Sequence, residues 1–71
     1  MTDFELLAAK IKESGMTIVA ICEKAGIDRV TFYNRLNGIG EFTASEIVNL
    51  SNAIGLTKSE RDKIFLTKNV K

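Results

Sequence analysis

The pattern Thr-x-x-Glu occurs at Thr2–Glu5, Thr43–Glu46 and Thr57–Glu60. In such a box the threonine hydroxyl accepts from the backbone N–H three residues on, and the glutamate reaches back to the threonine N–H. That reciprocal pairing opens an α-helix. Four of the five glycines, Gly15, Gly26, Gly38 and Gly55, stand at the far ends of apolar-periodic segments. A residue that takes positive φ there ends a helix. There is no proline, and no run alternates apolar and polar residues as a half-buried strand does. The repeated openers and stops set the fold class as all-α.

The spacing predicts a helix opening at Thr2, with Phe4, Leu7, Ala8 and Ile11 as its apolar stripe and Gly15 as its end. Thr17 then caps a second helix, whose inner side is Ile18, Ile21, Cys22 and Ala25 and which Gly26 stops. Ile27 in the turn is expected to plug into the core. Asp28 caps a third helix, since its carboxylate suits the free N–H groups of a first turn. Phe32 and Leu36, four apart, face inward, and Gly38 closes the segment. Phe42, set against Ile47, forms a hydrophobic staple ahead of the Thr43 box. Ile47, Leu50, Ala53 and Ile54 follow as a stripe ending at Gly55, and Leu56 points back to the core. The Thr57 box opens a fifth helix with Ile64 and Phe65 inward. The tail at 67–71 carries no stop signal and is expected to fray.

Seventy-one residues read as one domain near the lower size limit for a core that folds without staples. One cysteine and no histidine exclude an internal disulfide, a structural zinc site and histidine-based proton relay. No catalytic residue, metal ligand or cofactor site is placed, and no small-molecule ligand is expected. No stretch approaches the roughly 18 apolar residues of a membrane span, and the N-terminus lacks the basic-then-apolar layout of a secretion signal. The formal net charge is +1, so charge alone does not mark a nucleic-acid binder.

The central stretch from Thr17 to Gly38 carries the most specific signal. Apolar Ile21 is followed at once by small Cys22, and a glycine comes four residues later. Apolar Ile27 follows the glycine, and Phe32 is the next anchor five residues further on. This register resembles the Cro/lambda-repressor-like (XRE-type) helix-turn-helix family, and segments like Thr31-Phe32-Tyr33-Asn34-Arg35-Leu36-Asn37-Gly38 recur in its small phage and prophage members. The resemblance covers nearly the whole chain. It implies a compact five-helix domain with the motif at 17–38 and a recognition helix at 28–37 that enters the major groove. The implied function is sequence-specific binding of a double-stranded DNA operator by a homodimeric transcriptional repressor, in the cytoplasm of a bacterial or phage-infected cell.

Residue by residue, the resemblance places Arg29, Val30 and Asn34 at base edges, with Tyr33 beside them. Thr17 and Asn37 match phosphate-contacting positions. An arginine on guanine, an asparagine on adenine and a valine on a thymine methyl are the pairings that groove chemistry favours. Lys10, Lys12, Lys24 and Arg35 are phosphate contacts or ordinary solvated charges; Lys10 and Arg35 are carried as phosphate contacts. Leu66 and Val70 are candidates for a dimer seam. Three positions depart from the family. Ile18 stands where glutamine is usual, Ile11 and Leu36 replace an ion pair, and the loop Ile39-Gly40-Glu41 is not basic. The Ile11–Leu36 exchange leaves the fold in good standing, whereas Ile18, Val30, Ile39 and Glu41, with the low net charge, fit an alternative better: a protein-interaction module on the same scaffold, such as an antirepressor or accessory phage protein.

Overall fold

A computed structural model of the chain describes residues 2–66. It contains five helices, α1 (Phe4–Ser14), α2 (Ile18–Ala25), α3 (Arg29–Leu36), α4 (Ala44–Ile54) and α5 (Lys58–Phe65), and no strand among the described residues.

Two of the three Thr-x-x-Glu patterns act as capping boxes. At α4 and at α5 the threonine side chain accepts from the glutamate N–H and the glutamate side chain accepts from the threonine N–H. The Thr2–Glu5 box does not form. Asp3 is the cap of α1 instead, its carboxylate accepting from Leu6 N at 3.0 Å. Aspartate outranks threonine as an N-cap, and Asp3 N also donates to Ile64 O at 2.7 Å, which ties this residue to the end of α5. The face of α1 is also turned from the expected stripe. Leu7 is fully buried and Leu6 and Ile11 pack on the core, whereas Phe4 and Ala8 are exposed.

Thr17 caps α2 and Asp28 caps α3. Gly26 takes φ +70° between them, and Ile27 N donates to Cys22 O at 3.0 Å, so the chain turns sharply over three residues. Ile27 is buried by that turn. α3 closes at Asn37, one residue before Gly38.

Each helix contributes one completely buried large side chain: Leu7, Ile21, Phe32, Leu50 and Ile64. A relay of edge-to-face rings, Phe32 to Phe42 at 6.4 Å and Phe42 to Phe65 at 5.2 Å, runs through the same cluster. Such ring pairs add about 0.5–1.5 kcal/mol beyond area burial. α2 packs most extensively on α4. α3 is thus seated by Phe32 and by the turn, with its opposite side left uncovered.

Candidate nucleic-acid interface

With Phe32 buried and Leu36 packed against the core, the 100° step of a helix aims positions 30, 33, 34 and 37 the other way. Val30 is 68% exposed and Tyr33 48% exposed; Asn37 is exposed and Asn34 half-buried. Arg29, also exposed, sits at one edge of this face in the first turn. The side chains expected at base edges therefore share one accessible strip. Asp28 stays at the helix end, where its Oδ2 accepts from Val30 N at 3.0 Å and Thr31 N at 3.3 Å. Thr17 is exposed at the start of α2, and its hydroxyl accepts from Ala20 N at 3.1 Å. Ile18 packs on the core, so the position where the family uses glutamine is turned inward.

The two cations expected on phosphates are each held by a capping-box glutamate. Arg35 Nε donates to Glu46 Oε1 at 3.1 Å and Nη2 to Oε2 at 3.4 Å. Lys10 Nζ donates to Glu60 Oε2 at 2.7 Å and to Glu13 Oε1 at 3.4 Å. Burial pushes the Glu46 carboxyl up, but the Thr43 N–H and the Arg35 guanidinium outweigh it and hold the group below its ordinary value. The Lys10 ammonium and then the Thr57 N–H do the same for Glu60, and Glu60 in turn raises Lys10. Sequence reasoning missed both pairs. Their one signal was that a capping-box glutamate has a second oxygen to offer.

Arg29 forms no ion pair among the described residues. It is thus the one cation on the α3 strip with its fork of donors uncommitted, and guanidinium forks match guanine edges and phosphates bidentately. Cys22 lies beneath, where burial pushes its thiol up; a protonated buried thiol is a packing group. Leu66, 58% exposed, follows α5, while Val70 and the tail at 67–71 lie outside the described residues. No three His, Cys, Asp or Glu side chains gather among the described residues in a way that would hold a metal ion. No described helix is long and apolar enough to cross a membrane.

A scan against protein-family models, a search of curated proteins and a search of solved structures each found no match to the chain.

Proposed function

We propose that α2, its three-residue turn and α3 form a helix-turn-helix that binds double-stranded DNA, with α3 in the major groove, as in the Cro/lambda-repressor-like proteins that the register from Ile21 to Phe32 resembles. The observation that supports this most is the exposed strip of Val30, Tyr33 and Asn37, edged by Arg29 with no ion pair among the described residues, on the side of α3 opposite Phe32. A valine left in water on a short helix serves no packing purpose, whereas a thymine methyl gives it a partner. In this reading Arg29 reads guanine, Val30 and Tyr33 pack on or beside a thymine methyl, Asn34 pairs with adenine, and Thr17 and Asn37 hold phosphates. The protein regulates transcription by occluding a promoter. With few uncommitted cations per copy, two copies share the task and read half-sites about one helical turn, roughly 34 Å, apart.

Mobility shift and footprinting on DNA flanking the protein's own gene, repeated over a salt series, test the proposal. Sequence-selective, salt-sensitive binding supports it. No binding below about 10 µM at low salt counts against it, because even non-specific binders reach roughly 10⁻⁴–10⁻⁶ M at physiological salt.

A protein-interaction module on the same scaffold is the second reading. Ile39, 60% exposed in the loop after α3, favours it, as does the near-neutral net charge. An apolar surface at the recognition face fits a protein partner better than a phosphate backbone.

A further inference from the structure

Arg35 makes more contacts than an ordinary ion-paired surface arginine. Its Nε and Nη2 reach the two oxygens of Glu46, and its Nη1 reaches the carbonyl oxygen of Ile39 at 3.5 Å. Glu46 Oε1, which accepts from Arg35 Nε, is shared: it also accepts from Thr43 N at 3.0 Å in the α4 capping box. One guanidinium therefore joins three places: the last turn of α3, the loop after it, and the first turn of α4. Gly40 belongs to the same construction. It takes φ +75°, and a Cβ placed there would lie 2.5 Å from Arg35 Nη1, so a side chain at position 40 would displace the guanidinium. The two side chains are each about four-fifths buried, so the pair is partly shielded from solvent.

We propose that Arg35 is a positioning residue and not a phosphate contact: it clips the loop at 37–43 to the capping box of α4 and thereby fixes the C-terminal end of α3. This rests on the reading of α3 as the DNA-binding helix only for its consequence, because the clip itself is a property of the free protein. Within that reading, Asn34 and Asn37 lie on the turn that the clip holds. The geometry requires a planar fork, so charge alone does not suffice. Lysine keeps the charge but offers a single ammonium.

The experiment compares the wild-type protein with Arg35→Gln, Arg35→Lys and Glu46→Gln, the last of which keeps an oxygen for Thr43 N–H. Amide hydrogen exchange of the free proteins is read at Gly38 and Ile39, whose N–H groups bond Arg35 O at 3.1 Å and Asn34 O at 2.8 Å. DNA affinity is measured over a salt series. The clip predicts that exchange at these two amides speeds up in all three variants by more than at the amides of α1 and α2, which follow global stability alone. It also predicts specific binding weakened about tenfold in all three, the size of effect that breaking one coupled pair transmits, and an unaltered salt slope. A phosphate contact predicts the reverse. Arg35→Gln would lower the slope by about one, Arg35→Lys would bind as wild type does, and Glu46→Gln would bind more tightly by freeing the arginine. That second pattern overturns the proposal, and so does wild-type exchange at Gly38 and Ile39 in Arg35→Lys. If wild-type protein binds no DNA, the DNA reading fails, and the exchange comparison still decides whether the clip exists.

Discussion

Val30 and Phe32 lie two positions apart on α3, the first mostly in water and the second fully buried against rings and aliphatic groups from the other helices. Truncating Phe32 to alanine removes a ring from the centre of the cluster and leaves a cavity, at a cost of about 3–5 kcal/mol. Domains of this kind hold about 5–15 kcal/mol in total, so Phe32→Ala is expected to populate the unfolded state visibly in urea titrations at room temperature. A melt like that of the wild type would mean that α3 is seated differently. Arg29→Ala is expected to do the opposite. It leaves melting unchanged, because Arg29 is exposed and forms no ion pair among the described residues, and it weakens specific DNA binding by about 1–3 kcal/mol. Unchanged affinity in that variant would shift the assignment of the strip toward a protein partner. Ser51 is a third case. Its hydroxyl is buried with no hydrogen-bond partner among the described residues, a state that costs about 1–3 kcal/mol. Ser51→Ala removes that unsatisfied group and improves helix propensity, so the melting temperature should rise; a clear fall would reveal a bond that Ser51 makes.

At the scale of elements, the helix starts are where sequence and structure agree most closely, and the reason is locality. A capping box is closed by groups three residues apart, so Thr43 with Glu46 and Thr57 with Glu60 can be read along the chain. Thr57→Ala is expected to cost about 0.5–2 kcal/mol, seen as a lower urea midpoint with an unchanged slope; no loss would mean that α5 is held by packing alone. Where a distant group intervenes, local reading fails. At α1 the cap is Asp3, a stronger N-cap than Thr2, and its N–H is bound to Ile64 O, 61 positions along the chain, a contact that local reading could not supply. The same limit applies to the candidate site. Its exposed strip was legible because Phe32 and Leu36 fix the phase of α3. The commitment of Lys10 and Arg35 was not, since their partners Glu60 and Glu46 lie 50 and 11 residues away on other helices. Periodicity carries no information about which charges meet across a fold.

For the whole molecule, those two ion pairs contribute to how stability responds to pH. Glu46 and Glu60 both have folded-state pKa values below the ordinary 4.5. Each therefore contributes stability that is fully present above 4.5 and is lost as pH falls through its lowered folded value. Lys10 is raised above 10.5 and Cys22 above 9.0. Their contributions are present below those ordinary values and are lost as pH rises through the raised ones. No histidine is present, so no side chain of unperturbed pKa titrates between about pH 5 and 8. Thermal melts across pH should therefore show a plateau through neutrality and a decline that begins below about pH 4.5. Part of the acid limb belongs to carboxylates that also tie helices together, α3 to α4 through Glu46 and α1 to α5 through Glu60. Glu46→Gln and Glu60→Gln should each lower the plateau and also make the acid limb shallower, because a group that no longer titrates cannot contribute to the slope. A variant with a lower plateau but an acid limb as steep as that of the wild type would show that the removed carboxylate was structural without being perturbed, and the acid sensitivity would then have to arise from other carboxylates.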